Sequence, residues 1–253
     1  MLIKNLILFS LLFVSSCNIA SVITDADTKL GSEFTKKSDG IRESLLHFWK
    51  FEEGSSQTRI DSVGNLDMAD ANGHVIPNTT GAFGNGVSGQ SWSAGTGAAL
   101  YSTANFSFNT NENLNVSFWL KNSAAITTVQ YIIDCGQFRV LVNSSFEIRI
   151  SFNAEGASAI FGGQISNDNT WYHYSINVDR SNNTTTLYRN GSVVGTDTVP
   201  LTNDPTSSSC AIMSDTGGTW LSNEISLDSF GIWNRSLSTS EISSLYNLSS
   251  GLD

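Results

Sequence analysis

From about Leu45 onward, apolar residues recur every second position in short runs, and clusters of Gly, Asn, Ser and Asp separate the runs. Such alternation marks a strand with one buried and one wet face, and many such strands in succession make an all-β sandwich. The clearest case is 146–152, with Phe146, Ile148, Ile150 and Phe152 on one face and Glu147, Arg149 and Ser151 on the other. Residues 185–194 read as a hairpin, because Asn190-Gly191 readily takes the positive φ that a two-residue type I′ turn needs. Ile225, Leu227 and Ile232, with Phe230 and Trp233 beside them, predict a closing strand. After it, Ser238 and Glu241 have the spacing of a capping box, and Leu237 and Ile242 occupy the positions of a hydrophobic staple. A helix is therefore predicted from Thr239. It is too short to stand alone and must dock on a sheet through Ile242 and Leu245. The glycine-rich stretch from Gly81 to Gly97 reads as a looped pair of short strands, since a phosphate cradle needs a strand-to-helix context that is missing.

Four landmarks carry a family resemblance. The closing strand and helix read Asp-x-Phe-x-Ile-Trp-Asn-Arg-x-Leu-Ser from Asp228, then Ser-Glu-Ile-x-x-Leu-Tyr from Ser240. Leu45 to Gly54, followed by Asp61-Ser-Val-Gly-Asn65, forms the opening strand and loop. Asn115 to Lys121 and Trp171 to Tyr174 fall where central strands would. Together they resemble the laminin-G-like, concanavalin A-like jelly rolls of extracellular bacterial proteins. The resemblance implies a two-sheet jelly-roll sandwich with a short C-terminal helix, spanning roughly Leu45 to Leu252.

The N-terminus changes the picture. Residues 1–16 hold one positive charge, a short apolar run and small residues, which is the build of an export signal. The run is well below the ~20 residues of a membrane-spanning helix. Val14-Ser-Ser-Cys17 resembles the lipobox of bacterial lipoproteins, which implies lipidation (palmitate or a similar acyl chain) at Cys17 and a membrane contact made by the lipid alone. An ordinary signal peptide is the alternative. Residues 17–42 are then the lipidated cysteine and a polar, flexible tether, and 43–253 the jelly-roll domain. The expected location is a bacterial cell envelope, with surface exposure open.

Composition narrows the partners. The net charge is −10, but only 14% of residues are charged, so the surface is mostly amide and hydroxyl. Nucleic acid is an unsuitable partner for such a surface. Cys135 and Cys210 are few for a domain of this size; one disulfide and two buried thiols are equally compatible with their spacing.

The candidate chemistry is sparse. A glycoside hydrolase needs two carboxylates across the bond it cuts, and the Glu-x-Asp-x-(x)-Glu pattern of one such family is absent. Glu224 and Asp228 could share a strand face, but no third acid follows. Ser214 to Trp220 resembles a single sialidase Asp-box, though a Gly-Gly turn explains it as well. His47, His74 and His173 form no short metal-ligand spacing. Calcium is the one metal with support: relatives hold a structural ion between places matching Asp61 and Asp228, against the alternative that Asp61 makes an Asx-turn and Asp228 caps a loop. Trp92, Trp171 and Trp220 are the candidate ligand-binding aromatics, each with a core or rim role as its alternative. The expectation is a non-catalytic adhesin or lectin-like module for glycan or an extracellular or host protein. The alternatives are a glycan-active hydrolase with a non-standard site and a structural envelope lipoprotein.

Overall fold

The computed structural model describes residues 40–70, 76–89, 99–106, 112–152, 157–198, 208–218, 222, 224–248 and 252. The chain divides into Met1–Glu43 and Ser44–Asp253. Of the first unit, residues 40–43 are described and form one turn, in which Glu43 N–H donates to the Gly40 carbonyl at 3.2 Å.

The second unit holds β1 (Leu45–Trp49), β2 (Met68–Asp70), β3 (Asn78–Thr80), β4 (Asn85–Ser88), β5 (Leu100–Ser102), β6 (Leu114–Asn122), β7 (Gln130–Cys135) and β8 (Phe138–Val142). It continues with β9 (Ile148–Phe152), β10 (Ala157–Phe161), β11 (Trp171–Asp179), β12 (Thr184–Arg189), β13 (Ser192–Asp197), β14 (Ala211–Ile212), β15 (Ile225–Trp233) and α1 (Thr239–Asn247). They form two antiparallel sheets. The first runs β13-β12-β11-β6-β15-β4-β3, with β1 also on β15; the second runs β10-β9-β8-β7-β14-β5-β2. This is the expected jelly-roll sandwich. Its core is made by the inward-facing residues of both sheets, among them Val116, Phe118, Leu120, Ile176, Leu227 and Phe230 from the first and Ile133, Phe138, Val140, Ile150 and Phe152 from the second.

The most local sequence signals form as read. Asn190 and Gly191 take φ of 50° and 77°, the two left-handed positions of the I′ turn between β12 and β13. Helix α1 starts after Ser238, which accepts from Glu241 N–H while the Glu241 carboxylate accepts from Ser238 N–H. Ile242 and Leu245 are its buried residues. Arg235 adds an ion pair to Glu241 at 2.7 Å.

One strand end is corrected. Phe146 is outside β9, in a turn with φ 59°, where its N–H donates to the Asn143 carbonyl. The Phe146 carbonyl in turn accepts from the N–H groups of Gln164 and Ile165, so this position serves a loop crossing rather than the ladder. Ser151, read as wet, is buried between Arg139 on β8 and Ser158 on β10. Cys135 and Cys210 are joined in a disulfide that links the end of β7 to the residue before β14.

Candidate binding face

The outward face of the first sheet is defined by strand alternation. On β6 the core side takes Leu114, Val116, Phe118 and Leu120, which leaves Asn115, Ser117, Trp119 and Lys121 facing out. The pairings then align cross-strand rows. Asp228, Trp119 and His173 are consecutive neighbours on β15, β6 and β11, and the next row is Ser88, Ser226, Lys121 and Trp171 on β4, β15, β6 and β11.

The Asp228 row is covered. Tyr246 of α1 stacks on Trp119 with centroids 5.9 Å apart, and Phe83 of the β3–β4 turn meets its edge at 5.2 Å. A small cavity remains beneath the helix, between Leu245, Leu248 and Leu252 and the sheet residues Ser117, Trp119 and His173. His173 is buried, with Nε2 2.8 Å from Ser117 Oγ. Desolvation lowers its pKa to about 3, so the ring is neutral at physiological pH.

The ring contacts of α1 fall on Trp119 and His173, not on the next row. Trp171 is half-buried, with Lys121 Nζ 5.0 Å from its ring centroid, and Ser226 Oγ donates to Ser88 Oγ at 3.2 Å on the far side of Lys121. An indole and an ammonium, both part-exposed, thus stand in one row with two hydroxyls, of which Ser226 is buried. Ring faces take the apolar faces of sugars, while ammonium and hydroxyl groups exchange hydrogen bonds with theirs.

Of the predicted aromatics, Trp171 is the one the structure describes; Trp92 and Trp220 lie outside the described residues, as does Cys17. The described part of the Asp-box stretch, 214–218, is a turn: Gly218 has φ 66° and its N–H donates to the Asp215 carbonyl at 3.0 Å. Lys121 was missed from sequence. The alternation of β6 marks Trp119 and Lys121 as outward, but only the position of α1 separates the covered residue from the open one.

Asp61 and Asp228, the two calcium candidates, lie in different surroundings. Asp61 Oδ1 accepts from the N–H groups of Phe48, Val63 and Gly64, and Oδ2 from Leu66 N–H. His47 Nδ1 lies 2.6 Å from Oδ2. Burial by itself raises this carboxyl, but the bonds from His47 and the Phe48, Gly64 and Leu66 amides outweigh it and bring the pKa to about 2. The carboxylate is ionised, so the ring nitrogen is the donor. Five donors surround this carboxylate.

Asp228 sits at the bulge where β15 passes from pairing with β4 to pairing with β1. Its Oδ2 accepts from Phe83 N–H at 2.9 Å, and Ser229 Oγ donates to Oδ1 at 3.3 Å. It is fully buried, and desolvation raises its pKa to about 7 against the pull of these bonds. No group of three or more His, Cys, Asp or Glu suited to a metal occurs among the described residues.

The hydrolase alternative gains nothing either. The Glu224 carboxylate accepts from Thr127 N–H, Thr127 Oγ1 and Gln130 Nε2, tying the β6–β7 loop to the start of β15, while Asp228 is sealed in the sheet.

Residues 93–243, more than half of the chain, match the concanavalin A-like lectin/glucanases superfamily through its laminin G-type family. The chain belongs to this superfamily. No curated protein sequence matches it. Among solved structures, this concanavalin A-like domain is similar to the botulinum neurotoxin serotype D binding domain, with 17% identity and a TM-score of 0.61 over 82% of this chain and 52% of that one. It is also similar to the serotype D ligand binding domain in complex with N-acetylneuraminic acid, with 15% identity and a TM-score of 0.60 over 83% of this chain and 52% of that one. A third is the binding domain of botulinum neurotoxin DC in complex with rat synaptotagmin II, with 14% identity and a TM-score of 0.61 over 82% and 52%. The chain spans about half the length of these proteins, and at such identities the likeness is one of fold.

Proposed function

We propose that the protein is a non-catalytic binding module that recognises glycan or extracellular protein on the outward face of its first sheet, and that a lipid on Cys17 holds it at a bacterial cell envelope. The observation that carries the binding reading is the part-exposed pair of Trp171 and Lys121, one row beyond the Trp119 row that Tyr246 of α1 and Phe83 pack against. Solved relatives of the same fold are binding domains, captured with a sialic acid in one case and a protein in another, which supports a ligand of either kind. The non-catalytic reading rests on Glu224 and Asp228, whose carboxylates are occupied by structural donors.

The test is binding of the purified protein to glycan and matrix-protein arrays, with calcium and with chelator, beside Trp171→Ala. Recognition is expected in both conditions, because Asp61 and Asp228 are filled by donors, and Trp171→Ala should weaken it about tenfold or more. Array binding that is unchanged in Trp171→Ala moves the site elsewhere. Silence on every array sinks the recognition role and favours a structural envelope protein. For the anchor, intact-mass analysis of membrane-extracted protein should show acyl chains on a chain beginning at Cys17, and Cys17→Ala should release it to the soluble fraction.

A further inference from the structure

We propose that the ligand of the Trp171–Lys121 site is a sugar bearing a carboxylate, stacked on the indole and held through its acid by the ammonium, an assignment that rests on the binding role proposed above. The site stands at the end of its strands. The β11–β12 ladder begins at Tyr174, so Trp171 has Lys121 across from it on β6 and no β12 residue in register on its other flank. Both side chains are part-exposed, with Lys121 Nζ 5.0 Å from the indole centroid. Neither Nζ nor the indole N–H meets an acceptor among the described residues, and neither is a buried orphan, so both donors are left to solvent or a ligand.

The carboxylates around the site are held by other groups. Glu224 lies two residues before Ser226, which pairs with Lys121, but its carboxylate accepts from Thr127 Oγ1 and Gln130 Nε2, each at 2.7 Å, and so points to the β6–β7 loop. Asp168 accepts from Tyr172 O–H at 2.7 Å and Thr170 N–H at 3.1 Å. Asp228 is buried in the Trp119 row. Lys121 forms no ion pair among the described residues. The hydroxyls of the row do not compete as donors, because Ser226 Oγ donates to Ser88 Oγ at 3.2 Å and Ser88 Oγ to the Gly89 carbonyl at 3.4 Å. The free donors are therefore an ammonium and an indole N–H beside one aromatic ring.

That set selects the ligand class. A pyranose offers a C–H face to the indole, and an exocyclic carboxylate reaches past its ring to the ammonium. A charge-assisted bond of this kind is about twice as strong as one to a neutral hydroxyl, so the acid adds more than a further hydroxyl would. A protein surface fits less well. The large exposed apolar side chains, Ile60, Val63, Ile160, Val193 and Val194, lie off this row, whereas protein interfaces centre on apolar contact.

The test is calorimetric titration of the purified protein at low salt with trigalacturonate, its full methyl ester, sialyllactose, lactose and hexaglutamate, beside Trp171→Ala, Lys121→Met and Lys121→Arg. Trigalacturonate or sialyllactose should bind at least about tenfold more tightly than its neutral counterpart, and the tighter of the two names the source of the acid. Lys121→Met should reduce the acidic sugar to the level of the neutral one, Lys121→Arg should restore the preference, and Trp171→Ala should abolish binding of both. Unchanged unfolding midpoints show that the variants are folded. Equal binding of acidic and neutral sugars, lost in Trp171→Ala, overturns the acid preference and leaves the binding role standing. Acidic-sugar binding that survives Lys121→Met overturns the proposal, as does silence toward both acidic sugars. Tightest binding to hexaglutamate overturns it in favour of an acidic peptide. The binding role itself fails only if the glycan and matrix-protein arrays are silent as well.

Discussion

Asp228 and His173 flank Trp119 in one row, and burial moves them in opposite directions. Asp228 titrates near 7 when folded, above an ordinary carboxylate at ~3.9, so the native state keeps a proton the unfolded chain has lost. Its contribution to stability therefore falls as pH rises from ~4 to 7. His173 titrates near 3, below the ordinary ~6.5, so between those values the unfolded chain binds a proton that the native state does not. Its contribution rises with pH over that window. Between pH ~4 and 6.5 the two slopes oppose each other, each at about 1.4 kcal/mol per pH unit. Asp228→Asn keeps an acceptor for Phe83 N–H and removes the falling slope. Urea unfolding across this range should show the variant gaining on the wild type by about that amount per unit, with the gap constant above pH ~7. Parallel curves for the two proteins would sink the idea.

At the scale of the element, α1 decides which part of the first sheet is open. It is a nine-residue helix that holds its place through its cap, its two buried residues and the stacking of Tyr246 on Trp119. Nine residues are too few for autonomous helicity, so the cap and the dock must act together. Ser238→Ala removes the acceptor for Glu241 N–H and should cost about 1 kcal/mol in denaturant unfolding. Hydrogen exchange should place the loss first in α1, with the β6–β11 ladder unaffected. The helix itself was legible because capping is a contact between residues three apart. That it lies over Trp119 rather than Trp171 was not legible, because this depends on where β15 delivers the chain relative to β6 and β11.

For the whole molecule, the long-range tie is the Cys135–Cys210 disulfide, whose ends are 75 positions apart in sequence. Closing a loop of that length restricts the unfolded chain by about 4 kcal/mol in the chain-entropy account, with measured losses of about 2–5. Replacing both with Ala should lower the unfolding free energy by about 2–4 kcal/mol with the fold retained, since Cys135 and Cys210 stand beside a hydrogen-bonded β7–β14 pair. A change smaller than about 1 kcal/mol would mean the unfolded chain is already compact.

The sequence alone determined what local physics controls. Alternation along 45–233 specified strands and their buried faces, Asn190-Gly191 a turn, and Ser238 with Glu241 a helix start, because each rests on residues within a few positions. Two strands laid side by side obey no such local rule. Tertiary structure therefore decided that Asp61 gathers His47 and four amides, that Asp228 is sealed at a bulge, that Cys135 meets Cys210, and that Arg149 stands without a partner opposite Leu141 and Ile160. Each of these depends on register between segments far apart in the chain, and a shift of one residue would turn every one of those side chains to the other face.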